Sequence, residues 1–304
     1  MTDATIGKPL PAAKPIKGRS LWQDAWRRLR TNKAAIISLV ILALIAVVCV
    51  VGPYLLPWGL DDVDYTAFTA PPSFSPSPDG TPPHYFGTEA NARDLLVRTL
   101  YGGQISLMVG IVGTLVSLVI GVVYGATSGF VGGRVDAMMM RLVDVLYSLP
   151  FMFFVILLMV FFGRNILLIF VAIGAVNWLD MARIVRGQTL SIKRKEYIEA
   201  AHACGVSTWR IIRKHVIPNT LGPVIVYMTL TVPQVILLES FLSFLGLGVQ
   251  EPMTSWGVLI SEGARSMTIA WWMLVFPAVF LAVTLFCLNF IGDGLRDALD
   301  PRDR

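Results

Sequence analysis

Few residues in this sequence could carry covalent or acid–base chemistry. The histidines are His84, His202 and His215, too scattered to form a His-Glu-x-x-His zinc pair. Cys49, Cys204 and Cys287 have no spacing that reads as a disulfide framework or a metal site. There is no Gly-x-x-x-x-Gly-Lys-Ser/Thr phosphate loop, so the chain is expected neither to bind nor to hydrolyse ATP alone. No nucleophile–base set is visible. Glu239 is the one carboxylate with apolar residues on both sides and no local partner. An ionisable group inside a membrane is a functional candidate by default. It faces either a water-filled path or a neighbouring subunit, and the sequence leaves both open. Asp144 with Arg141, and Asp180 with Arg183, stand at helical spacing and read as local pairs.

The other polar concentration is mechanical rather than catalytic. Residues 191–219 form a basic island between two apolar runs. Arg194 to Cys204 has the Glu, Ala and Lys content of a helix. Gly205 suits its left-handed end. Ser207 is a candidate N-cap for a second helix to about His215, and Pro218 marks a turn into the next span. This reads as two short helices joined at a glycine corner. A short helix of this kind can lie in a partner's groove, and a corner without a side chain lets a partner approach. An ordinary interfacial loop is the competing reading.

The elements that must position these residues are membrane helices. The chain has 304 residues, 55% hydrophobic and only 15% charged, against about a quarter charged in soluble domains. Ala34 to Leu60, Gly102 to Gly133, Val145 to Gly163, Asn165 to Leu179, Asn219 to Leu238 and Met267 to Gly292 carry no charge. A span needs about 20 apolar residues, so an all-α polytopic protein with six transmembrane helices is expected. The fourth run reaches that length if Asp180 and Arg183 sit at the membrane edge. The first run is longer than the roughly 7–15 residues of a signal core and reads as a retained span.

Basic residues crowd the tail (Lys8 to Lys33) and the segment from Arg183 to Lys214, whereas the segment after the first span is acidic. Both termini are therefore expected in the cytoplasm. With no soluble domain to present a basic face, the charge does not point to nucleic acid. Residues 1–33 read as a tail ending in an amphipathic helix from Leu21 to Arg30, with Trp22, Trp26 and Leu29 on one face and Arg27, Arg28 and Arg30 on the other. Such a helix suits the lipid interface; extension of the first span is the alternative. Residues 34–304 form the membrane domain.

Gly113, Ser117, Gly121, Gly125 and Gly129 make a small-residue stripe that places the second span centrally. Pro150, Pro233 and Pro277 are expected inside the third, fifth and sixth spans as kinks. No structure is assigned to residues 57–86. Arg93 to Leu100 is expected as a short helix lying flat before the second span.

The loop resembles the EAA motif of permeases in bacterial ABC importers. Glu199, Ala200, Ala201, Gly205, Ile217 and Pro218 match it, and His215 stands at an apolar position where the peptide-importer branch has histidine. Phe86 to Asp94 is similar to that branch's Gly-Thr-Asp-x-x-Gly-Arg-Asp signature, departing at Glu89 and Ala92. Glu239 to Gly248, Ser255-Trp256-Gly257 and Gly292 to Pro301 are similar as well, so nearly the whole chain is covered. Together they resemble the C-type permeases of the dipeptide/oligopeptide/nickel group. Gly18 to Asp24 and Leu179 to Leu190 are closest to oligopeptide permeases.

The resemblance implies the type I ABC importer permease fold in the bacterial inner membrane and no enzymatic activity. The implied partners are a homologous B-type permease, two ATPase subunits that hold ATP and Mg, and an extracytoplasmic peptide-binding protein. Glu199, Ala200, Ala201, Gly205, Val206, Ser207, His215 and Pro218 would form the ATPase-coupling surface, with no cofactor or metal on this chain. A dipeptide or nickel relative is the near alternative. An ion-coupled secondary transporter would need more than Glu239 as its ion site.

Overall fold

The computed structural model describes residues 21–77, 80–162 and 166–299. The tail before Leu21, the boundary between the third and fourth runs, the C-terminal Asp300-Pro301 and the Trp22 side chain lie outside what is described. Among the described residues regular structure is helical, with only isolated bridges at Val63–Arg93 and Thr88–Asp94. The helices are α1 (Leu21–Thr31), α2 (Lys33–Leu55), α3 (Leu95–Val131), α4 (Gly133–Ser148), α5 (Phe151–Phe162) and α6 (Ile166–Lys193). After them come α7 (Glu196–Ala203), α8 (Thr208–Ile211), a π segment (Ile212–Val216), α9 (Ile217–Phe244), α10 (Trp256–Arg265) and α11 (Trp272–Leu299).

Among the described residues four helices are long and apolar enough to cross a membrane, and five spans result if α4 and α5 count as one bent span. This is a multi-pass membrane architecture. The bend between α4 and α5 is 84°. Pro150 causes it, because a residue before proline is driven out of the helical region, and Leu149 is extended at φ −75°, ψ 132°. Pro150 therefore stands at the break between α4 and α5. Pro233 and Pro277 do lie inside α9 and α11.

Helix α3 is central. Its 37 residues run about 55 Å, well beyond a hydrocarbon core of about 30 Å. The stripe of small residues brings α6 against it. A Cβ on Gly121 would sit 2.6 Å from Met181 Cβ, and one on Gly129 would sit 2.9 Å from the Arg186 carbonyl oxygen. At Gly125 the Ala182 carbonyl is closer still. Farther along, Gly110 and Gly113 face Ile236 and Val235 of α9.

The start of α3 departs from the sequence reading. Asp94 caps it, accepting the Val97 N–H at 2.9 Å, and no break follows, so the flat helix from Arg93 to Leu100 is the first turns of α3 itself. Residues 57–77 and 80–86, given no structure above, are pinned across this end. His84 lies between two buried carboxylates, 2.8 Å from Asp94 and 3.4 Å from Asp64, with Trp58 stacked on its ring at 4.4 Å. Contacts between residues so far apart leave no periodicity in the chain to read.

Candidate functional site: the Glu199–Pro218 loop

Helix α7 is shorter than Arg194 to Cys204, running from Glu196 to Ala203. It ends as expected at Gly205, whose φ is +72°. The Gly205 N–H donates to the His202 carbonyl at 2.9 Å and the Val206 N–H to the Ala201 carbonyl at 3.1 Å. These two bonds make a Schellman corner, which satisfies carbonyls that a helix end leaves open. The apolar contact that accompanies such corners is present, since Ala201 and Val206 pack on the same buried cluster.

That cluster fixes the loop to the bundle. Ile198 of α7 and Ile211, Ile212 and Val216 beyond the corner are all buried. They meet Val122, Ala126 and Phe130 of α3 and Met181, Val185 and Ile192 of α6. Burying an Ile or Val contributes about 1.5–3 kcal/mol each, so the anchor is strong for so short a segment. Polar and aromatic contacts reinforce it. His202 stacks on Phe130 at 5.6 Å, nearly parallel, and Tyr197 lies 6.4 Å from His215. The Lys193 ammonium donates to the Phe130 carbonyl at the C-terminal end of α3 and lies 5.5 Å from the Phe130 ring centroid. Cations are favoured at helix C-termini.

The opposite face is open. Glu199, Ala200, His202, Gly205, Ser207 and Trp209 are exposed, and a Cβ added at Gly205 would meet nothing within 4 Å. The loop thus presents a corner with no side chain of its own, held rigidly from behind.

Beyond the corner the structure corrects the sequence reading. Ser207 occupies the N-cap position but its side chain makes no capping bond. The second helix does not stop near His215, and Pro218 marks no turn. Residues Thr208 to Phe244 form one continuous 37-residue helix. Pro218 lies in the first turn of α9, directly after the π segment, where the Ile217 N–H reaches back to the Ile212 carbonyl. A π segment shifts the ladder by one residue, which accommodates a proline that has no N–H to give. His215 is half-buried at this point, its carbonyl accepting from the Asn219 amide at 2.6 Å. The loop is therefore built into a long helix instead of being joined to it by a hinge.

Two ion pairs join α4 to α6. Arg186 holds Asp136 through two bonds, at 2.6 and 2.7 Å. Arg183 pairs with Asp144 at 2.8 Å. The partner of Asp144 is thus Arg183 on a neighbouring helix, not Arg141, and Arg183 reaches across the bundle instead of to Asp180. Sequence spacing shows only partners on the same helix.

Glu239 has partners that its apolar neighbours in sequence do not suggest. It is fully buried within the chain, with its carboxyl group held by Ser243 at 2.6 Å, Ser106 at 3.3 Å and Ser240 at 3.5 Å. In this chain its carboxyl group is reached by serine hydroxyls. Ser240 and Ser243 stand one and four residues away in sequence, so two local partners were legible; Ser106 was not.

The family signature shows why its departures matter. Ala92, at the signature's second glycine, has φ +57°, a left-handed conformation that favours glycine. Glu89, in place of the short aspartate, is buried and accepts from Arg93. Arg98 Nε lies 2.9 Å from its other oxygen, close enough for an ion pair though off the hydrogen-bond axis.

Residues 117–304 match the family model described as the binding-protein-dependent transport system inner membrane component. Residues 20–72 match the N-terminal transmembrane domain of oligopeptide transport permease C. The chain belongs to this permease family. The family's oligopeptide transport system permease protein OppC of Haemophilus influenzae is 60% identical over 95% of this chain and 91% of its own length. The OppC protein of Escherichia coli K12 is 61% identical over 95% and 94%. A chain of the MetNI methionine ABC transporter, solved facing inward, superposes with a TM-score of 0.54 at 21% identity, covering 68% of this chain and 96% of that one. It shows the shared permease fold. Permeases of this family are transport subunits, and the chain is one, not an enzyme.

Proposed function

We propose that this chain is the C-type permease subunit of an ATP-driven oligopeptide importer of the bacterial inner membrane. It pairs there with a homologous B-type permease to form the path. An extracytoplasmic binding protein delivers peptide, and two partner ATPase subunits supply the energy. The observation that carries the reading is the Gly205 corner, exposed and unobstructed in front and bolted to α3, α6 and α9 behind. Glu199, Ala200, Ala201, Gly205, Val206 and Ser207 form the docking corner, and His215 and Pro218 mark its passage into α9. The near-full-length identity to oligopeptide permeases supports the substrate class.

Docking has a mechanical meaning. ATP can drive transport only if its binding favours one of two permease arrangements over the other. A push on the corner is not absorbed locally, because the loop continues into α9 without a break. The reading includes six spans with both termini in the cytoplasm, supported by the basic tail and basic loop. It also places α1 at the inner lipid interface. Asn32 separates α1 from α2 at an extended backbone position, Trp26 is exposed, and Arg30 lies 4.9 Å from its ring.

The test is to purify the tagged chain from native membranes in mild detergent and reconstitute what accompanies it. A second permease and ATPase subunits are expected, with peptide uptake that requires ATP and the binding protein. Absence of ATPase subunits, under conditions that keep other membrane complexes intact, refutes the reading.

A further inference from the structure

We propose that Glu239 is a positioning residue that clamps α10 to α9 and α3, so that a displacement of α9 driven from the loop is carried to α10. This rests on the proposed function for its source of motion. The geometry supplies the rest. Both oxygens of the Glu239 carboxyl group lead through a serine to the N-terminus of the same short helix. On one arm Ser243 donates to Oε1 at 2.6 Å and lies 3.2 Å from the Ser255 hydroxyl. Ser255 is the N-cap of α10, accepting the Val258 N–H at 3.3 Å. On the other arm Ser106 of α3 donates to Oε2 at 3.3 Å and accepts the Trp256 N–H at 3.2 Å. Through these serines the carboxyl group is linked to N–H groups that a helix start leaves open.

The surroundings leave α10 no room to move independently of this clamp. Trp256 is fully buried, and its indole N–H donates to the Thr99 carbonyl of α3 at 2.9 Å. A Cβ on Gly103 would lie 2.7 Å from the Trp256 ring, and one on Gly257 would lie 2.5 Å from Ser240 Cα. The far half of α10 lines a polar cavity of about 270 Å³ with Gln250, Glu251, Ser261, Glu262 and Arg265. Ser243, a member of the clamp, lines the same cavity. The clamp therefore joins the helix that leaves the loop to the helix that shapes this cavity, at the end of α9 remote from the loop.

The chemistry requires a group that accepts twice. Each serine takes a hydrogen bond from the α10 side and passes its own proton toward Glu239. A carboxylate accepts from both; a glutamine oxygen accepts from one, and its amide nitrogen can only donate. Glu239→Gln keeps the volume and breaks one arm. Ser106→Ala cuts the α3 arm and leaves Glu239 in place.

The experiment uses the complete importer in proteoliposomes, with uptake and ATP hydrolysis measured together. Spin labels at Arg265→Cys on α10 and Tyr54→Cys on α2, in a Cys204→Ser background, report whether α10 moves on ATP binding. The parent is expected to show an ATP-dependent distance change. In Glu239→Gln that change is expected to vanish and uptake per ATP hydrolysed to fall about tenfold, the scale of a typical coupling between sites. Ser106→Ala, which also loses one arm, should show a loss of the same order. Unchanged uptake per ATP in Glu239→Gln, with the distance change retained, overturns the proposal. So does a fall of uptake and hydrolysis in step with loss of assembled complex, because that marks a purely structural role. Should Glu239→Gln fail to assemble, unchanged coupling in Ser106→Ala overturns it. A parent complex that lacks ATPase subunits would instead refute the function from which the motion is taken.

Discussion

Replacing Gly205 separates the folding role of the corner from its docking role. An alanine at φ +72° incurs about 1–2 kcal/mol of left-handed strain. Escaping that strain would mean breaking the two corner bonds, from Gly205 to His202 and from Val206 to Ala201. They contribute about 0.5–1.5 kcal/mol each. It would also expose Val206, now packed on the apolar cluster, at about 1 kcal/mol or more. Keeping the corner is the cheaper course, so Gly205→Ala should fold with its geometry intact. Asparagine tolerates the left-handed region better still, and the chain itself offers an added side chain open space. Any large defect in Gly205→Asn must then arise outside this chain. The assay is co-purification of ATPase subunits alongside ATP-dependent uptake, with thermal unfolding of the purified variants as the folding control. Expected are near-parental unfolding in Gly205→Asn, weakened ATPase association, and loss of uptake in a bulkier Gly205→Trp that still inserts in the membrane. Full association and uptake in all three variants would refute docking at this corner.

Gly125→Leu should cost about 3 kcal/mol or more, since the obstructing atoms are α6 backbone, which cannot move aside like a side chain; a lower unfolding temperature and poor recovery would show it. Ala92→Gly should stabilise by about 1 kcal/mol through relief of the positive φ, read as a raised unfolding temperature. Glu262 is raised from 4.5 to about 7, by burial first and the nearby Glu89 charge second. Its folded form holds a proton that the unfolded form has lost, so its contribution is fully present below about pH 4.5 and is lost as pH rises through about 7. Unfolding temperatures measured across that window should fall with rising pH, and Glu262→Gln should flatten the slope.

The apolar runs and their glycines were enough, read in order, to declare a helical membrane protein with a central second span. Those signals are local: composition sets what can enter lipid, and a four-residue stripe sets where another helix can approach. The Gly205 corner was legible for the same reason, since a helix end and its left-handed glycine are adjacent in the chain. Tertiary structure decided what depended on distant partners. Pro218 reads as a stop, yet buried Ile211, Ile212 and Val216 hold the segment helical through a π segment. Asp144 reads as the partner of its neighbour, yet packing of α6 brings Arg183 nearer. The segment before Phe86 shows no periodicity from which to assign structure, yet His84 ties it to the α3 cap. Glu239 reads as a lone carboxylate facing either a water path or a neighbouring subunit, and serines from α3 and α9 surround it. In each case packing between distant segments, which no local spacing displays, set the outcome.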